Sequence, residues 1–157
     1  MINYIKISNN QTAYLICTIL LLALIFLLHG KPVPNGNEFH YLILLYKKWH
    51  PSFLAHDWSF SQSTDFVHWM FNHVIGFFTL FLDVETVGWI GRIACWTTGI
   101  FLLLLMSQQL NINIFIASIA IACWLAIGQS IVAGSWMFGG FESKCIAYLF
   151  LLASIYF

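Results

Sequence analysis

Charged side chains are what this sequence has least of. Lys and Arg together number six, and Asp and Glu six, in 157 residues. Soluble domains carry about one charged residue in four. So few charges cannot cover a water-facing surface on a chain of this size, and lipid becomes the expected solvent. The two signs cancel, so no basic surplus points to nucleic acid. Recognisable catalytic signatures are missing too: there is no P-loop, GxGxxG, HExxH or GxSxG. The four cysteines form no CxxC pair and read as small apolar residues within packed or lipid-facing segments.

Apolar surface is what the chain has in quantity. Hydrophobic residues make up 61% and aromatics 18%, with seven Trp, and mean hydropathy is +0.84. Trp and Tyr favour the membrane–water boundary, where a ring is buried while its polar edge stays wet. A spanning helix needs about 20 mostly apolar residues. Segments 12–29, 87–107 and 112–133 meet or approach that length, and a fourth apolar run begins at 145. The expected fold is therefore all-α, a polytopic bundle. Segment 12–29 follows Lys6 and a polar stretch, and no small-residue cleavage site comes after it, so it reads as an uncleaved signal anchor. The run from 145 is too short to cross, so the chain reads as the N-terminal part of a longer membrane domain.

Segment 30–86 reads as an outer loop with its own helices. A turn-rich Lys31-Pro32-Val33-Pro34-Asn35-Gly36-Asn37 leads into a helical pattern over 38–49, with Phe39, Leu42, Ile43 and Tyr46 on one face. Asn37 is the expected N-cap, Glu38 suits the positive end of the helix dipole, and Lys47 and Lys48 suit the negative end. Pro51 stops the helix. An amphipathic helix along the membrane surface fits. Residues 50–65 read as loop. Segment 66–82 is apolar but short and holds His68, Asn72 and His73, so a helix at the interface is expected, with 83–86 as a turn. Loops 30–86 and 134–144 then share one face. The distribution of lysines opposes the orientation that a cytoplasmic N-terminus implies, although Lys47 and Lys48 can bind lipid phosphates from a surface helix.

Three constellations carry candidate chemistry. Glu38-Phe39-His40-Tyr41 places an acid, an imidazole and a phenol in one turn: a general base or ion ligand, or an acid serving only the helix dipole. His56-Asp57 suits a metal, or is a solvated loop. Gly139-Gly140-Phe141-Glu142-Ser143-Lys144 precedes an apolar helix. Its glycines permit close backbone approach, the helix start offers free N–H groups, and Lys144 suits a phosphate; a charged membrane boundary is the alternative. His68 and His73, five apart, read as packing or headgroup contacts.

With Asn37-Glu38-Phe39-His40-Tyr41 in a first outer loop, Pro51-Ser52-Phe53-Leu54-Ala55-His56-Asp57-Trp58 after it and Gly139–Lys144 in a second, the chain resembles large bacterial membrane proteins of the C-type (GT-C) glycosyltransferase class and their uncharacterised relatives. The resemblance implies a multi-pass enzyme of the plasma (inner) membrane that takes sugar from a polyprenyl-phosphate donor at the outer face. It implies Glu38 as the catalytic base and Asp57 as a second acid or metal ligand, with a divalent metal left open. His40, Tyr41, Glu142 and Lys144 are the implied substrate-binding residues. The alternative is a non-catalytic membrane protein: a transporter, flippase or accessory subunit. Polar residues within the spans would favour it, and only Arg92 and Gln129 stand out, both near segment ends, where Arg92 is expected to snorkel to the boundary.

Overall fold

A computed structural model describes residues 11–58, 68–127, 130–132 and 135–157. The described chain is helical apart from one short antiparallel pair. Its elements are α1 (Gln11–His29), α2 (Asn37–Trp49), α3 (Trp69–Val74), a 3-10 helix (Gly76–Leu80), α4 (Val84–Gln109), α5 (Ile114–Ile127), β1 (Ser130–Val132), β2 (Ser135–Trp136) and α6 (Ser143–Tyr156). The strands pair with Ser130 opposite Trp136 and Val132 opposite Ser135.

Among the described residues two helices are long and apolar enough to cross a membrane, α1 and α4. At about 1.5 Å per residue, the 19 residues of α1 and 26 of α4 reach about 29 and 39 Å, against a hydrocarbon core of about 30 Å. The helix α4 is longer than expected at its start. The stretch 83–86, expected as a turn, is its first turn. Asp83 caps it: Oδ1 accepts from Thr86 N at 2.8 Å and Oδ2 from Thr86 Oγ1 at 2.7 Å, the arrangement that satisfies free N–H groups at a helix start. The third expected span, 112–133, is corrected. Its helix covers only 14 residues, about 21 Å, and the chain then forms β1. Ser130, Ile131 and Val132 pair as a strand where the apolar count had suggested continued helix. Gln129 lies outside the described residues. The helix α6 also has 14 residues.

Segment 66–82, whose first two residues lie outside the described residues, contains six residues of α-helix and then five of 3-10 helix. Neither approaches membrane length. Both pack on α2: Trp49 Nε1 donates to Asn72 O at 3.2 Å, and His50 Nε2 lies 3.2 Å from Thr79 O.

The helix α2 differs from its expected form at both its cap and its face. Gly36, not Asn37, occupies the cap position, at φ 60° and ψ −131°. That backbone conformation excludes a Cβ, so glycine is required, and Asn37 becomes the first helical residue. The buried stripe is Glu38, Leu42 and Leu45, while Phe39 is exposed. A carboxylate thus heads the inward face, rotating the helix by about one residue from the purely apolar choice.

One core lies between α1, α4 and α5: Cys17, Leu21 and Ile25 meet Trp96, Ile100 and Leu104 and Ile121 and Leu125, with Phe138 against them. A second joins Val33, Leu42, Leu45, Phe71, Cys95, Phe141 and Cys145. The outward face of α1 is apolar as well; Leu15, Leu20 and Leu27 are 61%, 63% and 82% exposed. An apolar face this long is far larger than the isolated patches of water-soluble surfaces.

Candidate functional site

The site begins with a buried ion pair. Glu38, at the head of α2, and Arg92, in the third turn of α4, are 0% and 1% exposed. Arg92 Nε donates to Glu38 Oε1 at 2.8 Å and Arg92 Nη2 donates to Glu38 Oε2, the two-pronged geometry that suits a guanidinium. Phe141 N donates to Oε1 at 2.6 Å and Asn35 N to Oε2 at 2.9 Å. A carboxylate has about four acceptor positions, and these four bonds fill them. Arg92 Nη1 donates to Lys31 O, and its guanidinium carbon lies 4.9 Å over the Trp89 ring. One ion pair therefore ties together the segment after α1, the start of α2, the outer part of α4 and the loop before α6.

These contacts correct two expectations. Glu38 is not at a surface; it is sealed beneath the loops. Arg92 does not snorkel. A charge in an apolar helix is costly to expose to hydrocarbon, and here a carboxylate 54 positions away removes that cost. The glycine before Phe141 makes the arrangement fit: a Cβ on Gly140 would stand 2.8 Å from Glu38 Cβ.

Above the pair opens a cavity of about 310 Å³ lined by His29, Lys31, Asn35, Gly36, Asn37, Arg92, Gly139, Gly140, Glu142 and Lys144. Lys31, Arg92 and Lys144 bring positive charge to its wall. Glu142 is the only acid lining it among the described residues, and Lys144 Nζ lies 2.7 Å from Glu142 Oε2. Burial works against the Lys144 ammonium, but the hydrogen bond and charge of Glu142 outweigh it and hold its pKa above the usual lysine value.

Beside the cavity lies a cluster that the sequence spacing concealed. Ser143 Oγ is 2.8 Å from His68 Nδ1, and the Tyr41 and His68 ring centroids are 4.8 Å apart. His40 meets Tyr41 edge-on at 6.3 Å and is itself exposed. Burial and the nearby charge of His40 lower the pKa of His68, against an opposing pull from Glu142.

Of the expected site residues, the fold brings Tyr41, Glu142 and Lys144 into one neighbourhood and sets His40 at its rim. Asp57 lies past the other end of α2, where its N–H donates to Leu54 O at 3.1 Å. About 16 Å of helix separates Glu38 from Trp49, at the end of α2 nearer Asp57. Among the described residues no three His, Cys, Asp or Glu side chains converge as metal ligands would. His29 and Asn35 also line the cavity without having been candidates, while His68, read as a packing or headgroup contact, meets Ser143 of the 139–144 motif. Arg92 carried a signal: an arginine in an apolar span calls for a buried partner. No family model matches the chain, and neither a curated protein nor a solved structure matches it.

Proposed function

We propose that this chain is part of a multi-pass plasma-membrane protein whose cavity binds the phosphate of a lipid-linked substrate. In the reading that its resemblance suggests, it transfers sugar from a polyprenyl-phosphate donor at the outer face. One observation carries this: a cavity lined by Lys31, Arg92 and Lys144 lies at the adjoining ends of two helices of membrane length. Cations lining a partly water-excluding cavity attract a phosphate more strongly than the same groups in open water. Glu38 neutralises one side of Arg92 and fixes its direction. Lys144, tethered by Glu142, is the group that a phosphate would recruit. The fold supports a positioning role for Glu38 and leaves Glu142 as the acid facing substrate.

Binding of polyprenyl phosphate to the full-length protein in nanodiscs, followed by tryptophan fluorescence, tests the reading. Binding is expected to weaken in Lys144→Ala and Lys31→Ala and to fall as salt rises. Equal affinity for polyprenyl phosphate and for the uncharged polyprenol would overturn it. Binding with no sugar transfer would leave a carrier or accessory protein.

A further inference from the structure

Transfer of a sugar to a hydroxyl acceptor requires a group that takes the acceptor's proton. Glu38 has no acceptor position left for it, and Glu142 holds the Lys144 ammonium through Oε2. The cluster beside the cavity contains a group of the right kind. His68 is held at Nδ1 by Ser143, whose chain neighbours Glu142 and Lys144 both line the cavity. It packs against the Tyr41 ring, and its backbone sits at φ 58°, ψ 32°, a left-handed conformation uncommon outside glycine. Segments around residues 41, 68 and 143 thus converge on one imidazole. Strained backbone of this kind gathers at functional sites.

Resting on the transfer reading above, we propose that His68 is the proton acceptor of the reaction and Ser143 the residue that positions it. In the tautomer that acts as base, Nδ1–H donates to Ser143 Oγ and Nε2 carries the lone pair. The acceptor oxygen bonds to the anomeric carbon as its O–H proton passes to Nε2. The bond from that carbon to the phosphate oxygen breaks, and its electron pair leaves on the phosphate, which Lys144 and Arg92 stabilise. His40 and Tyr41 from α2, and Glu142, Ser143 and Lys144 from the start of α6, are the polar groups set around the imidazole. Burial favours its neutral form, which a base needs.

The test uses the full-length protein in nanodiscs with radiolabelled polyprenyl-phosphate glucose and mannose for turnover, and polyprenyl phosphate for binding. His68→Gln is expected to bind polyprenyl phosphate as the parent does while losing about 10²- to 10⁴-fold in turnover. Ser143→Ala, which leaves the imidazole in place, is expected to displace the acidic limb of the pH–rate profile. It decides the matter if His68→Gln misfolds, because an unchanged limb would overturn the role. Unchanged turnover in a folded His68→Gln protein overturns the proposal, and so does loss of binding, which would make His68 a phosphate contact. A parent protein that binds polyprenyl phosphate but transfers neither sugar overturns this inference and leaves the binding site standing. A parent that fails to bind removes both.

Discussion

Glu38 and Arg92 stabilise the site only as a pair. Removing one partner of a buried ion pair strands the other charge, at a cost of about 3–5 kcal/mol. Glu38→Gln and Arg92→Gln are each expected to lower thermal stability in detergent and abundance in the membrane. The double variant should recover part of the loss, because it leaves no orphaned charge. A Glu38→Gln protein of normal stability that had lost only activity would instead mark Glu38 as a base. His68 and Lys144 titrate in opposite pH ranges. The pKa of His68 is lowered from 6.5, so its folded environment favours the neutral ring. That contribution is present above about pH 6.5 and is lost as pH falls through the folded value. Melting curves between pH 7 and 5 should show a loss of stability that is smaller in His68→Gln. The pKa of Lys144 is raised from 10.5. Its contribution is complete below that value and disappears only as pH rises beyond it, so it does not confuse the acid range.

At the scale of elements, glycines on α4 let the loop before α6 lie close to the helix. A Cβ on Gly91 would stand 2.3 Å from the Phe141 ring, and one on Gly99 2.6 Å from Phe138. Those aromatic rings anchor the loop that delivers Phe141 N to Glu38. Gly91→Ala should push Phe141 out of place and cost about 1–3 kcal/mol as overpacking. Pairing it with Phe141→Leu should restore part of the stability, as measured by melting temperature. The cap at Asp83 is a separate device: Asp83→Ala should lower the melting temperature, while Asp83→Ser, which retains an acceptor, should lower it less.

Across the whole molecule, the contacts of residues 31, 38, 92 and 141 bring one end of α1, α2, α4 and α6 together. Were α1 and α4 both to cross a bilayer, that end would lie on one side, and the turn between α4 and α5 on the other. Cysteines introduced at the exposed Asn37 and Ser52, in a chain without its four native cysteines, should be labelled by an impermeant reagent from the same side. One at the exposed Asn111 should be labelled only from the opposite side. Labelling of all three from one side would overturn the two-span arrangement.

Composition and run length by themselves determined the helical class and located both long apolar helices, because a lipid-sized segment announces itself in consecutive residues. Local signals also placed α2, since a turn-rich stretch, a first-turn acid and last-turn lysines lie next to one another in the chain. The sequence placed Tyr41, Glu142 and Lys144 on the candidate list from local chemistry alone. Tertiary structure decided what those residues meet. Glu38 reads as a surface acid until Arg92, 54 positions along, and the N–H of Phe141, 103 positions along, enclose it. Periodicity reports which residues share a face of one helix; it carries no information about which polar group another element brings to that face. The pairing of His68 with Ser143, 75 positions apart, was hidden for the same reason, and so was the cavity, whose lining comes from four separated segments. The end of α5 was misjudged from the other direction: an apolar count cannot distinguish a continuing helix from a strand, and pairing with Ser135–Trp136 settled that stretch as a strand.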